Sequence, residues 1–130
     1  MDTIAASATG TQISALGILR RSGPEAFPAA DAVFRPADGK PLSAHPRRMM
    51  VYGDLLDREG RTIDHALAVT FAAGASYTGE DSAEFHCHGS PVVLDEGLRS
   101  LFAAGARQAR GGEFTQRAFL NGRLDLAQAE

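Results

Sequence analysis

The stretch Tyr77-Thr78-Gly79-Glu80-Asp81-Ser82-Ala83-Glu84-Phe85-His86-Cys87-His88-Gly89-Ser90-Pro91 decides the fold. Thr78, Gly79 and Asp81 give its first part turn chemistry, so it starts as a loop. Polar and apolar residues then alternate, which reads as a strand. Glu84, His86 and His88 share one face of that strand, and Ala83, Phe85 and Cys87 take the other, core-facing side. Gly89 allows a tight turn, Ser90 is a helix cap, and Pro91 suits the first helical position. A row of ionisable groups therefore lies close to a helix N-terminus.

A carboxylate offers only acceptors, in a planar pair. Glu84 therefore matches a flat ligand edge with two adjacent N–H donors, such as the aminopyrimidine edge of a pterin. The helix start beside it suits an anionic group. A satisfied polar row at a sheet edge accounts for the same pattern, and both readings stand at this point. A third reading, a metal-dependent hydrolase using His86 and His88, is disfavoured. Cys87 points the opposite way on the strand, and zinc sites need three or four convergent ligands.

The 130 residues suffice for one domain with a real core, and 44% hydrophobic with 22% charged residues is a globular composition. A net charge of -3 argues against a phosphate-neutralising basic surface. The single cysteine excludes an internal disulfide and fits a reducing compartment. No signal peptide and no apolar run of about 20 residues are visible, so a cytosolic location without membrane contact is expected.

Working outward, residues 3–7 read as a strand, 9–12 as a loop and 15–21 as a second strand. On the latter, Leu16, Ile18 and Arg20 share one face, and Gly17, Leu19 and Arg21 the other. Arg20 thus ends an apolar row, either as a cation in water or as a clamp for an anion or carbonyl. Ser22-Gly23-Pro24-Glu25 fits a capping box with a helix running towards Phe34, although Pro28 shortens that helix or starts it. Residues 35–46 hold three prolines and read as a loop. Strands are expected at 48–56 and 63–71, joined by the hairpin loop 57–61.

Residues 90–104 give the clearest helix, with Leu94, Leu98, Leu101 and Phe102 at core spacing. Gly97 costs it about 1 kcal/mol against alanine, and Gly105 stops it. A short edge strand is expected within 106–110. A helix follows over 113–120, with Phe114, Ala118 and Phe119 on one face, and Asn121-Gly122 ends it. Asp125 caps a further helix that the sequence carries for about a turn and a half. The expected organisation is a first domain over 1–122 and the start of a second over 123–130, making the chain a fragment. Neither a phosphate-loop motif nor a nucleophile elbow is present.

Asp2-Thr3-Ile4-Ala5-Ala6, Gly17-Ile18-Leu19-Arg20, Ser22-Gly23-Pro24 and Ser76-Tyr77-Thr78-Gly79-Glu80-Asp81 carry a resemblance. So do Glu84-Phe85-His86-Cys87-His88-Gly89, Gly112-Glu113-Phe114-Thr115 and Arg117-Ala118-Phe119-Leu120-Asn121-Gly122-Arg123-Leu124-Asp125-Leu126. Together these resemble the N-terminal domain of the tRNA uridine-modification GTPases, the MnmE or TrmE family. The resemblance implies an α+β fold, a mixed β-sheet with about three helices packed on it, related to the folate-binding domain of the glycine-cleavage aminomethyltransferase. It implies a homodimer that binds 5-formyltetrahydrofolate or a related one-carbon folate near the dimer interface. It also implies a following helical domain, a GTPase domain with its GTP, Mg2+ and K+, and a flavin- and NADH-dependent partner. With that partner, the family installs an aminomethyl-type group on the wobble uridine of tRNA.

Carried over residue by residue, the folate contacts fall on Arg20, Glu84 and Arg123. Glu84 is implied to pair with the pterin edge, and the two arginines to contact carbonyls or the glutamate tail. Arg123 replaces a lysine found in other members, which keeps charge but changes geometry. The run Gly10-Thr11-Gln12-Ile13-Ser14-Ala15 replaces a Gly-Arg-Gly-Gly run of many members. Without the phosphate loop, this chain alone is not expected to turn over GTP or modify tRNA. The alternative expectation is a purely structural dimerisation module whose folate site is incomplete in isolation.

Overall fold

Seven strands pair into one mixed sheet in the computed structural model, which describes residues 2–7 and 14–122. The described chain runs β1 (Ile4–Ser7), β2 (Ser14–Ser22), α1 (Ala26–Val33), β3 (Phe34–Pro36), β4 (Val51–Leu56) and β5 (Thr62–Phe71). It continues with β6 (Ser82–Gly89), α2 (Pro91–Ala103), β7 (Arg107–Gln108) and α3 (Glu113–Leu120). The sheet order is β3-β4-β5-β6-β2-β1-β7, antiparallel throughout except for the parallel pair β1 and β7. The α+β expectation of a mixed sheet with three helices is therefore met among the described residues. Arg123, the loop 8–13 and the helix expected after Asp125 lie outside them.

The alternation on β6 sorts its side chains as expected. Ala83, Phe85 and Cys87 are buried in the core with Leu94 and Leu101 of α2 and Ala30 and Val33 of α1. Phe85 meets Phe34 with ring centroids 5.9 Å apart. Ser90 caps α2, its Oγ accepting from the Val93 N–H, with Pro91 at the first position. Gly97 lets α2 approach β2 closely, since a Cβ there would stand 2.4 Å from Leu19 Cδ1. Arg21 crosses the inner face and donates to the last carbonyls of α2, Leu101 O at 3.0 Å and Ala104 O at 3.2 Å. Cations favour that helix end.

Three local expectations are corrected. Ser22 does not cap α1; it is fully buried as the last residue of β2, paired with Ser82. Its hydroxyl meets Thr78 Oγ1 at 2.6 Å and donates to Glu80 Oε1 at 3.0 Å. The ladder claims Ser22, and the first position outside α1 falls to Glu25, whose N–H donates to Thr3 Oγ1 at 3.1 Å. Pro28 is tolerated because it sits in the first turn, where no intrahelical donor is needed. Residues 35–46 are not all loop: Phe34–Pro36 forms an edge strand on β4, and Leu42–Ala44 a 3-10 turn. The strand expected from residue 48 starts at Val51, because Arg48 has a φ of 63° and breaks the extended path.

His45 fixes the segment before β4. Its Nδ1 lies 2.9 Å from Pro41 O and its Nε2 2.7 Å from Asp38 Oδ2. Both partners only accept, so this site suits the protonated ring, in which both nitrogens donate. The Asp38 hydrogen bond is the main cause of its raised pKa.

Gly53 is where β3 and β4 meet most closely. A Cβ there would lie 2.4 Å from Arg35 O and 2.7 Å from Pro36 Cα, which are backbone atoms that cannot rotate away. Gly53→Ala is expected to lower stability by about 1–3 kcal/mol in urea unfolding, as overpacking does. Gly111→Ala, with open space at its Cβ, should leave the midpoint unchanged.

Candidate functional site

The β2–β6 ladder places Arg20 opposite Glu84 and Ile18 opposite His86, on the sheet face away from α1 and α2. Arg20 Nε donates to Glu84 Oε2 at 2.9 Å, and Nη2 forms an ion pair with the same oxygen at 2.9 Å. His86 Nε2 donates to Glu84 Oε1 at 3.2 Å. The Arg20 guanidinium also lies over two rings, 5.7 Å from the Tyr77 centroid and 5.5 Å from that of Phe114. Such cation–π contacts, a paired carboxylate and partial burial hold a long side chain in one place. The strand patterns single out Arg20 and Glu84 separately, and the register brings them together. Arg123 lies outside the described residues.

Arg20 and Glu84 border a recess of about 130 Å³ shared with Phe71, Ala75, Tyr77, Thr78 and Ser82. A carboxylate has about four acceptor sites. Arg20 covers Oε2 and His86 takes one site on Oε1, so the other site on Oε1 remains for an incoming N–H. The residues present thus fit one donor of a pterin edge directly, and a second if the imidazole turns aside. The recess is smaller than the ~300–1,000 Å³ of usual ligand pockets.

The other histidines of this region have carboxylate partners: His88 Nδ1 with Asp64 Oδ1 at 2.9 Å and His65 Nδ1 with Asp54 Oδ1 at 2.7 Å. Among the described residues, no group of three or more His, Cys, Asp and Glu is arranged to hold a metal ion. Cys87 is buried, and its Sγ donates to Gly17 O at 3.6 Å. Burial pushes its thiol up to about 11, so it is not a thiolate nucleophile at neutral pH.

A buried ionic cluster joins α3 to Glu80, in the loop that carries Tyr77 and Thr78. Arg117 is 2% exposed and donates through Nη1 to Asp2 O at 2.7 Å and to Glu80 Oε1 at 3.0 Å. Its Nη2 donates to Asp2 Oδ1 at 3.1 Å and to Glu113 Oε2 at 3.2 Å. Arg107 joins from β7, donating to Glu113 Oε1 at 2.9 Å and also to Asp2. The spacing of Glu113 and Arg117 is that of a helical ion pair and was readable as such. Nothing local in sequence connects them to Asp2 or Glu80. The inner face of α3 is therefore charged, and Phe119, expected on it, is 38% exposed.

Residues 3–123 match the family described as GTP-binding protein TrmE N-terminus. A tRNA modification GTPase MnmE of Opitutus terrae is 52% identical over 129 residues, covering 99% of this chain and 27% of the relative. The MnmE of Symbiobacterium thermophilum is 47% identical over 129 residues, 99% of this chain and 28% of its own length. That of Parabacteroides distasonis is 43% identical over 131 residues, 100% of this chain and 28% of its own. The chain thus spans about 28% of the length of these relatives.

The Arg107 hydrogen bond is the main cause that holds Glu113 down at about 2, from an ordinary 4.5. A depressed carboxylate contributes stability that is full above its unfolded value and lost as pH falls through its folded one. Glu113→Gln is expected to flatten stability against pH between about 4.5 and about 2. At neutral pH it should cost about 1–3 kcal/mol by leaving Arg117 short of a partner. Urea unfolding across a pH series measures both.

Proposed function

We infer the function from one premise: this chain belongs to the TrmE N-terminal family. In this reading it is the N-terminal part of a tRNA modification GTPase, and it binds a one-carbon folate, 5-formyltetrahydrofolate, as a homodimer. The observation that carries it is the Arg20–Glu84 pair at the edge of a recess walled by Tyr77. Glu84 takes the donors of the pterin edge. Arg20, with Arg123 from the following chain, takes carbonyls or the glutamate tail.

The second copy supplies the wall that one copy lacks. Leu16, Tyr52 and Leu67 are 50%, 56% and 41% exposed around a shallow depression of about 300 Å³. Leu67 pairs across the ladder with His86, next to Glu84 on the same strand face. Exposed apolar patches of this kind mark interaction surfaces. A copy laid on this sheet face closes the recess from outside. The remaining parts of the reading are the flavin- and NADH-dependent partner, GTP with Mg2+ and K+, and the tRNA wobble uridine in the cytoplasm. They belong to the whole protein and not to residues 2–122. No helix among the described residues is long and apolar enough to cross a membrane.

One observation favours a second reading, a dimerisation module without folate affinity of its own. Glu84 already has Arg20 and His86 as partners, so a ligand must compete for it. Sedimentation combined with calorimetric titration of 5-formyltetrahydrofolate separates the two. The folate reading expects a dimer that binds, and a Glu84→Ala variant that loses about 1–3 kcal/mol of affinity. A dimer without binding supports the structural reading, and a monomer that binds nothing rejects both.

A further inference from the structure

Helix α3 is held in a way that differs from α1 and α2. Its buried side chains are Glu113, Arg117 and Ala118, and two of these are charged. Its larger apolar residues Phe119 and Leu120 are 38% and 60% exposed. An eight-residue helix is not stable alone. What seats it is a set of side-chain contacts, and these run to the wall of the Glu84 recess. Phe114 lies on the Arg20 guanidinium. The Thr115 hydroxyl meets the Tyr77 hydroxyl at 2.9 Å. Arg117 donates to Glu80, and Asn121 Nδ2 donates to Thr78 O at 3.0 Å. Positions 114, 117 and 121 recur about one turn apart and so share a helix face.

The wall loop has anchors of its own. Ser22 Oγ meets Thr78 Oγ1 at 2.6 Å, Ser76 Oγ donates to Glu80 O at 2.5 Å, and Gly23 N–H donates to Asp81 O at 3.0 Å. Arg20 is also tied to Glu84 directly. Two arrangements follow, α3 seated on the wall or α3 released with the wall still formed. Release would bring Arg117 and Glu113 into water, which solvates them. Few apolar contacts oppose it, as is typical of segments that open locally.

We propose that α3 is a strap on the wall of the Glu84 recess, through which the occupant of the recess and the position of the chain after Gly122 control each other. This rests on the reading that the recess takes a flat, donor-bearing heterocycle. An occupant that packs on Tyr77 and Arg20 orders the groups on which α3 sits, and so favours the seated helix. Anything that pulls on the chain after Gly122 draws Asn121 from Thr78 and Phe114 from Arg20, and so weakens binding. The two effects are reciprocal by linkage.

Hydrogen exchange with and without 5-formyltetrahydrofolate, on the wild-type chain and on a Thr115→Val/Asn121→Ala variant, tests it. In the wild type, the ligand is expected to slow exchange at amides 113–122 as well as at 76–81. In the variant, affinity should fall about fivefold or more, and protection should stay at 76–81 without reaching 113–122. Circular dichroism checks that the variant folds, and Thr115→Val alone, which keeps the side-chain shape, serves if it does not. Binding to the wild type with unchanged exchange at 113–122 overturns the strap and leaves the folate reading standing. So does a folded variant that binds as tightly as the wild type. A wild-type chain with no folate affinity in calorimetry sinks the folate reading, and the strap with it.

Discussion

A carboxylate one residue from a core phenylalanine permits only one register for the strand that carries them. In β6, Phe85 and Cys87 are buried while Glu84 and His86 face outward. A slip by one residue would drive Glu84 into the core, where an unpaired charge is not tolerated, and expose Phe85. The same register sets Arg20 beside Glu84 and puts Leu67 and Ile18 on either side of His86. The pairing of β2, β6 and β5 and the chemistry of the outer face thus have one cause. Helices α1 and α2 then cover the inner face, where Gly97 allows α2 to sit close to Leu19.

Beyond that sheet, charge takes over where apolar surface runs out. Arg21 is fully buried under α2, and Arg117 is nearly so beneath α3. Each is matched to several acceptors: helix-end carbonyls for Arg21, and three carboxylates with a backbone carbonyl for Arg117. Buried pairs of this kind are costly to break on one side only. They tie residue 2, the loop at 80 and the helix at 113–120 together more specifically than a greasy contact would.

The features that rest on short-range pattern were legible in the sequence. The alternation of β6, the Ser90-Pro91 start of α2 and the hairpin between β4 and β5 all appear where periodicity and turn residues put them. Glu84 and Arg20 stood out because each was an ionisable group on an otherwise patterned strand. Features that depend on distant partners were not legible. Nothing near Arg117 announces Asp2, 115 positions away, as its acceptor. Ser22 carried the marks of a helix cap, but the ladder to Ser82 outcompeted that local option. Phe34–Pro36 became a strand only because β4 offers it an edge. Phe119 followed the hydrophobic rule on paper, yet the face it was assigned to is filled by Glu113 and Arg117.

The one sulfhydryl of the chain is shut into the core, hydrogen-bonded to a carbonyl and held in its unreactive protonated form. A maleimide or nitroxide reagent therefore finds nothing to modify in the folded chain. A cysteine introduced at an exposed position such as Gln116 would then carry the only label. The native sequence can host a spin or fluorescence reporter on its last described helix without first being stripped of Cys87.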